Sequence, residues 1–303
     1  MPLSVYSALW GTGRIPYHSL MDKGARPYWM LLATAVLFST GGAAIKACTL
    51  TSWQVAGFRS GLAAAALFVF LPEARKKWDW RIAPVAIASA ATLLLFVIAT
   101  KNTTSANAIF LQATGPLYVL ALGTLLLGER LHLREALTGL LIAIGMILFY
   151  FDSTKATALA PNPALGNLLA ALSGVTWAAT EVGLRWLSKN AAGGIAPIVL
   201  ANGITFLAAL PMALPLEKLS SSDAVLLLYL GIVQIGLAYV LMTRAMREVE
   251  ALGASLILLA EPALNPVWSW LVHGEVLSKQ ALAGGSVILM ATLGHTIWSG
   301  KKS

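Results

Sequence analysis

The sequence predicts an all-α integral membrane protein of ten transmembrane helices, arranged as two inverted five-helix repeats with both termini in the cytoplasm. Three observations lead to this class. Hydrophobic residues make up 58% of the chain and charged residues only 11%. Apolar runs near the length of a bilayer span recur throughout, and one distinctive stretch occurs twice. A soluble domain is not expected from this composition.

The duplicated stretch runs from residue 106 to 131 and returns, 146 positions later, from 252 to 277. In that register a proline near the middle of each copy and a Gly-Glu pair at its end coincide: Pro116 with Pro262, Gly128 with Gly274, and Glu129 with Glu275. An apolar helix with this punctuation is a rare pattern, so its recurrence indicates two copies of one unit. We expect each glycine to turn the chain and each glutamate to cap the helix that follows.

Apolar runs of about 17 to 25 residues, each enough to cross a bilayer, set the predicted helices. They are 27–46, 53–71, 82–100, 104–127, 135–151, 164–188, 195–215, 223–242, 252–272 and 280–298. The predicted division is a cytoplasmic tail (1–26), a first five-helix repeat (27–151), a linker (152–160), a second repeat (161–299) and a short tail (300–303). No signal peptide is expected, since the first residues lack an uninterrupted apolar core.

Lysine and arginine orient the bundle because short cytoplasmic loops retain them. Fifteen fall on the side that carries both termini, and Arg59 lies inside the second predicted helix. Five fall on the other side: Lys46, Lys101, Lys155, Lys218 and Lys279. The net charge of +8 is therefore explained by membrane orientation, and the absence of a continuous basic stripe speaks against nucleic acid as a partner. Five helices per repeat is an odd number, so the second repeat enters the membrane from the opposite side.

Three predicted helices carry a polar or aromatic face that lipid would not favour. Inverted repeats in secondary transporters place the substrate near the midplane between the two halves, so we expect these faces to line a cavity. The expected substrate-binding residues are Asn107, Thr114, Tyr118, Trp177, Thr180, Glu261 and Asn265. The alternative is that the hydroxyl and amide groups only join helices by hydrogen bonds.

Ionisable residues within the bilayer are costly and therefore face protein or water. Glu261 is the deepest carboxylate and either binds an amino group, carries a coupling proton, satisfies free backbone groups, or pairs with an arginine. Arg59 either pairs with a substrate carboxylate, forms a structural ion pair, or snorkels to the interface. Glu181 and Arg185, spaced i to i+4, can neutralise one another.

The motifs that enzymes, metal sites and nucleotide-binding sites require do not occur in the sequence. Neither a nucleophile with its base nor metal ligands at the His-Glu-x-x-His spacing is present, and no phosphate-binding loop occurs, so no enzyme activity, metal or cofactor is expected. The single Cys48 excludes an internal disulfide. Glycines on the last helix of each half, Gly139 with Gly145 and Gly284 with Gly285, suit close helix contact, either within a monomer or in a homodimer.

The residues also carry a family resemblance. The helix endings LLLGERL (125–131) and LVHGEVL (271–277), the runs SANAIFLQATGPLYV (105–119) and LLAEPALNPVW (258–268), and Arg59 early in the second helix resemble the drug/metabolite transporter superfamily, and within it the ten-helix EamA-type transporters. In place of the aromatic-Trp pairs often seen in the first helix of each half, this chain has Phe38-Ser39 and Thr176-Trp177.

The resemblance implies a multi-pass carrier of the bacterial inner (plasma) membrane, often an exporter of amino acids or related metabolites. The sequence is thus interpreted as a secondary active exporter of small metabolites that works by alternating access. A flippase for lipid-linked groups, an exchanger of nucleotide sugars or organic phosphates, and, less favoured, a membrane-embedded enzyme or a scaffold are the alternatives.

Overall fold

The computed structural model describes residues 26–75, 78–115, 117–119, 121–122, 133–150, 156–189, 194–216, 218–245, 257–258 and 260–300. Within these ranges the chain is helical, and the only β contact is an isolated bridge between Thr157 and Ala160. The predicted all-α class is therefore confirmed for the described residues. Residues 1–25 and 301–303 of the predicted tails, and the Gly128-Glu129 pair, lie outside them.

Twelve α-helices have bounds in the described part of the chain. They are α1 (Arg26–Ser39), α2 (Gly41–Ala47), α3 (Ser52–Phe70), α4 (Ile82–Asn102), α5 (Ser105–Gln112), α6 (Leu133–Tyr150), α7 (Pro163–Lys189), α8 (Ala196–Ala213), α9 (Ser221–Leu228), α10 (Ala238–Ala245), α11 (Ala260–His273) and α12 (Lys279–Gly300). A short 3-10 helix covers Pro72–Arg75, and a π-helical segment, Tyr229–Leu237, joins α9 to α10. Each predicted segment overlaps at least one of these helices, but three predicted helices are not uniform. The first is interrupted at Thr40, the fourth by a turn at residues 113–114 after α5, and the eighth by the π-helical segment.

The first predicted helix is broken at Thr40, which separates α1 from α2. Two consecutive hydroxyls return to the backbone here: Ser39 Oγ donates to Val36 O at 2.7 Å and Thr40 Oγ1 to Leu37 O at 2.7 Å. Such side-chain bonds compete with the helical ladder and bend helices. The break therefore follows from the local sequence Ser-Thr-Gly-Gly.

Helix starts are set by hydroxyl caps. The side chain of Thr51 accepts from Gln54 N at 3.2 Å while Gln54 Oε1 accepts from Thr51 N at 3.1 Å, which forms a capping box at the start of α3. Thr104 caps α5 by accepting from Asn107 N at 3.1 Å. Ser220 caps α9 in the same way, accepting from Asp223 N at 3.0 Å. Each cap satisfies one of the backbone donors left open at a helix start.

The two halves of the chain interlock instead of packing side by side. The most extensive helix contacts are α4 with α7, α3 with α8, and α6 with α12, and each pair joins the first half to the second. In three pairs a helix contacts the helix at the equivalent position of the other repeat: α3 with α8, α6 with α12, and α5 with α11. This pattern is what a two-fold relationship between repeats produces, and it puts the interface between the halves at the centre of the bundle.

The close contact expected from the glycines of the last helix in each half is present within the chain. A Cβ placed on Gly145 would lie 2.6 Å from Cγ1 of Ile288 and 2.9 Å from the carbonyl oxygen of Gly284. Only a residue without a side chain allows α6 and α12 to approach this far. Gly145 and Gly284 therefore serve packing inside the monomer.

The outside of the bundle is apolar, as a protein surrounded by lipid requires. On α6 the exposed side chains are Leu133, Leu137, Leu140, Leu141, Ile144 and Ile147. Among the described residues, five helical stretches are both long and apolar enough to cross a bilayer: Arg26–Ala47, Ser52–Phe70, Ile82–Asn102, Ala196–Ala213 and Ser221–Met242. The predicted total of ten crossings and the cytoplasmic termini stay predictions.

Candidate functional site

The break in the first helix lies against the ninth predicted helix, and polar groups join them. The amide Nδ2 of Asn265 on α11 donates to the carbonyl oxygen of Ser39 at 3.0 Å. One turn further, Nε1 of Trp268 donates to Oγ of Ser39 at 2.8 Å. Ser39 is fully buried, so the space that a tryptophan would need at this position is occupied. Where the resembling family often has a tryptophan at residue 39, this chain has a serine whose hydroxyl binds the indole of Trp268 from the other half.

The π-helical segment meets the same break from another side. The hydroxyls of Tyr229 and Thr40 lie 2.7 Å apart, and Nε2 of Gln234 lies 3.4 Å from the carbonyl oxygen of Phe38. The rings of Phe38 and Tyr239 pack edge to face with centroids 5.4 Å apart. Two irregular helix segments, one from each half, therefore contact each other through polar and aromatic side chains. π-Helical turns are frequent at functional sites.

A second polar contact joins the fourth and sixth predicted helices. Nδ2 of Asn107 lies 3.3 Å from Oδ1 of Asn167, and Nε2 of Gln112 donates to Oγ of Ser173 at 2.7 Å. A Cβ on Gly115 would lie 3.1 Å from Cδ1 of Trp177. The backbone of α5 and the segment after it therefore run directly against α7.

Tyr118 and Trp177, the two aromatic residues predicted for the substrate site, lie on this second contact. A Cβ on Gly174 would be 3.3 Å from the Tyr118 ring. The Tyr118 hydroxyl lies 3.3 Å from Sδ of Met146. Both aromatic side chains are half-buried.

Two predicted site residues direct their hydroxyls to their own helices. Thr114 Oγ1 donates to Leu111 O at 2.6 Å, and Thr180 Oγ1 donates to Thr176 O at 2.9 Å. Both threonines are fully buried. Their place in a substrate site stays a prediction.

The seven predicted site residues thus fall into two groups. Tyr118 and Trp177 belong to the contact between α7 and the segment after α5, which also contains Thr114, and Thr180 lies further along α7, whereas Glu261 and Asn265 lie on α11. Asn107 lies near the α11 residues, since it and Ser269 of α11 line the same small cavity. This cavity has a volume of about 10 Å³, which is room for roughly one water molecule.

Arg59, on α3, is buried, with only 3% of its surface exposed, and its Nε has no hydrogen-bond partner among the described residues. It does not snorkel to the surface, and no carboxylate of the described chain lies within ion-pair distance. Tyr239 is close enough to both Arg59 and Glu261 to interact with each electrostatically. The structure therefore places the expected cation and the expected carboxylate around one tyrosine between the halves. Glu181 is half-buried on α7, and the side chain of Arg185 lies outside the described part.

Glu275 differs from its prediction. Gly274 does turn the chain, with φ at +67°. The Glu275 carboxylate, however, does not cap the following helix, whose start is capped by Ser278 Oγ, accepting from Ala281 N at 2.9 Å. Oε2 of Glu275 instead accepts from Ser105 N at 3.0 Å, at the start of α5. Its Oε1 lies 3.0 Å from the ammonium group of Lys46.

Several residues of this interface were missed by sequence reasoning. They include Ser39, Lys46, Tyr229, Gln234 and Tyr239. Lys46 could have been found, since a lysine at the end of an apolar helix and a glutamate at the end of another suggest a pair. The others required knowledge of the helix break and of the π-helical segment, which no hydrophobic period reveals. Within the described ranges no group of three His, Cys, Asp or Glu side chains could hold a metal ion.

Comparison with known proteins agrees with the fold and with the repeat. The model of the EamA-like transporter family matches residues 25–151 and 164–297, once for each half. A crystal structure of a protein with 19% sequence identity superposes with a TM-score of 0.61, over 89% of this chain and 98% of that one. At that identity the likeness concerns the fold alone.

Two archaeal relatives carry the same description. An uncharacterized transporter of Archaeoglobus fulgidus is 28% identical over 218 residues, which cover 71% of this chain and 76% of the relative. An uncharacterized transporter of Methanothermobacter thermautotrophicus is 23% identical over 220 residues, covering 69% of this chain and 61% of the relative. The chain therefore spans about three fifths of the length of the second relative.

The duplicated helices and the apolar exterior describe a multi-pass membrane protein, and the family match and the descriptions of the two relatives indicate a transporter and not an enzyme. With the family match over both halves, the conclusion is that this chain belongs to the EamA-like transporter family.

Proposed function

We propose that this chain is a secondary active transporter that exports small metabolites, such as amino acids or related compounds, across the plasma membrane by alternating access. Ten helices cross the bilayer in this proposal, and both termini are cytoplasmic. The observation that carries it is the polar interface between two interlocked repeats. Rocking of one repeat against the other would open that interface to either side in turn.

The residues proposed to bind substrate are those that the sequence predicts on the faces of three helices. They are Asn107, Thr114, Tyr118, Trp177, Thr180, Glu261 and Asn265. Tyr118 and Trp177 would pack against the apolar part of the substrate, and their position where α7 meets the first half supports this role. Asn107 and Asn265 each hold one amide oxygen that is buried without a partner among the described residues, so each retains a capacity to accept a hydrogen bond.

Glu261 is proposed as the coupling residue. It lies between the halves, near Tyr239, which also interacts with Arg59. A carboxylate in this position can exchange a proton for a substrate amino group. Substrate and proton would then compete for the same group, which couples their movement.

The test is flux of a mixed pool of amino acids and related metabolites into proteoliposomes, with and without an imposed pH gradient. Accumulation driven by the gradient is expected, and Glu261→Gln should abolish the drive because the amide cannot release a proton. Glu73→Gln, which alters an exposed carboxylate, is the matched control and should transport normally. Flux that ignores both the gradient and Glu261→Gln would make Glu261 structural. No flux of any compound would contradict the transport proposal itself.

A further inference from the structure

One end of the bundle is held by an ion pair between the repeats. Lys46 closes the first helix, Glu275 follows α11, and their side chains are only 2% and 9% exposed. Lys46 also donates to the carbonyl oxygen of Leu159, and Glu275 also holds the backbone N–H of Ser105. Two side chains thus tie together four chain segments: two from the first repeat, one from the second repeat, and the linker.

Further contacts between the repeats surround this pair. Asp223 accepts from the backbone N–H of Thr49 at 2.7 Å and from its hydroxyl at 2.6 Å. The Cys48 thiol lies 3.2 Å from the same carboxylate. Nε2 of His273 lies 2.8 Å from the carbonyl oxygen of Ala43. This end, which we call the latched end, is therefore closed across the interface of the described residues.

Four polar side chains lie next to the ion pair with oxygen atoms that have no hydrogen-bond partner among the described residues. Each is about 1% exposed: Ser105, Asn107, Asn265 and Ser269. They belong together in space. Asn107, Ser269 and Glu275 line the same small cavity, and a Cβ on Gly42 would lie 3.0 Å from both Asn265 Oδ1 and Ser105 Cβ.

Buried polar atoms without partners are unfavourable, and apolar side chains of similar size would avoid the penalty. Such groups are understandable when they find partners in a second conformation. A buried ion pair suits that change, because it is neutral as a unit when closed and each ion is hydrated when the site opens.

We propose that Lys46 and Glu275 form the latch of this end, and that Ser105, Asn107, Asn265 and Ser269 become part of the substrate path when the latch opens. The oxygen atoms without partners belong to hydroxyl and amide groups, and an amide oxygen can only accept hydrogen bonds. This lining therefore suits a small polar molecule that presents N–H or O–H donors, such as an ammonium or hydroxyl group. The inference rests on the proposed transport function and adds to it a gate and two further lining residues, Ser105 and Ser269.

The test measures access without needing a substrate. Ser269→Cys places a reporter thiol in the sealed cavity, and its alkylation by a charged maleimide is followed in nanodiscs, where the reagent reaches both faces. The parent with Cys48 alone supplies the background rate. Labelling of Ser269→Cys should be slow, and Lys46→Met should accelerate it roughly tenfold, because an unpaired buried carboxylate destabilises the closed state.

Two further variants keep the result interpretable. In the Ser269→Cys protein, the exchange Lys46→Glu with Glu275→Lys retains both charges. It should return the labelling rate to within roughly twofold of the rate for Ser269→Cys alone. Lys279→Met removes an exposed cation at the start of α12 and should change nothing. Should Lys46→Met fail to fold by size-exclusion chromatography, Glu275→Gln serves, since its amide oxygen can still accept from Ser105 N.

An unchanged labelling rate in the neutralised variants, or rapid labelling of Ser269→Cys with the ion pair intact, would overturn the latch. The two proposals fail separately. If labelling accelerates but the protein moves no compound, the latch proposal stands and the transport proposal is refuted. If the protein transports but labelling is unchanged, only the latch proposal is refuted.

Discussion

The side chain of Asn265 donates to the carbonyl oxygen of Ser39 across the interface between the two halves, at 3.0 Å. Ser39 is the last residue of α1, directly before the break at Thr40. The bond therefore holds an irregular point of the first repeat against a helix of the second. If the repeats move relative to one another, this contact must adjust with them.

Asn265→Ala should lower the free energy of unfolding by about 1 to 2 kcal/mol, because a buried carbonyl at the helix break loses its donor. Asn202→Ala is the matched control. Asn202 is equally buried, but its amide donates within its own helix, to Ile198 O at 2.9 Å. Thermal unfolding in detergent should show a larger fall for Asn265→Ala. Equal shifts would mean that the bond between the halves contributes nothing beyond the volume lost.

Gly145→Ala should destabilise the protein by about 1 to 3 kcal/mol, because the added methyl would overlap Ile288 and force α6 away from α12. Gly203→Ala is the contrast, since a Cβ at Gly203 in α8 meets nothing within 4 Å. There the gain in helix propensity should leave stability unchanged or raise it by about 0.5 to 1 kcal/mol. Melting temperatures of the two variants check the packing of the last helices. A stable Gly145→Ala would contradict the close approach.

Much of the fold could be predicted because hydrophobic period and length report on helices directly. The predicted second helix, 53–71, differs from α3 (Ser52–Phe70) by one residue at each end, where Thr51 and Gln54 form a cap. The break at Thr40 was not predicted, although Ser-Thr followed by two glycines contains its cause. The π-helical segment had no such signal, since π turns arise from packing rather than from a periodic pattern.

The candidate site was only partly predictable for a different reason. Periodicity identifies a polar face of one helix, as it does for Glu261 and Asn265, but it does not say which residue of another helix the face meets. Asn265 donates a hydrogen bond to the backbone carbonyl of Ser39, and Glu275 forms an ion pair with Lys46, which is far from it in the sequence. Such pairings depend on the crossing of helices from different repeats, which a single sequence does not encode locally.

The thiol of Cys48 should be unreactive at neutral pH. Burial, together with the carboxylate of Asp223 beside it, raises the pKa of Cys48 to about 11 from its ordinary value of 9.0. Only the thiolate reacts, so at pH 7.5 fewer than roughly one thiol in a thousand is competent. Alkylation of the folded protein should keep rising about tenfold per pH unit up to pH 10, while the denatured protein levels off near pH 9.

Mass spectrometry of alkylated protein between pH 7 and 10 measures both curves. Asp223→Asn supplies the control, because loss of the negative charge should lower the pKa of Cys48 and move the folded curve to lower pH. A folded curve that coincides with the denatured one would contradict the buried position of Cys48 between α2 and α3.

Tyr118→Ala and Trp177→Ala should each depress transport by at least about tenfold while leaving expression and folding intact, because an aromatic surface of the proposed site is lost. Trp270→Ala is the control for the loss of an aromatic side chain, since Trp270 lies on the outside of α11 with 58% of its surface exposed. Initial rates in proteoliposomes at saturating and limiting substrate separate weaker binding from slower movement. If both interior variants transport like Trp270→Ala, substrate does not pass between α7 and the segment after α5, and the path must lie instead along α11, beside Asn265 and the latched end.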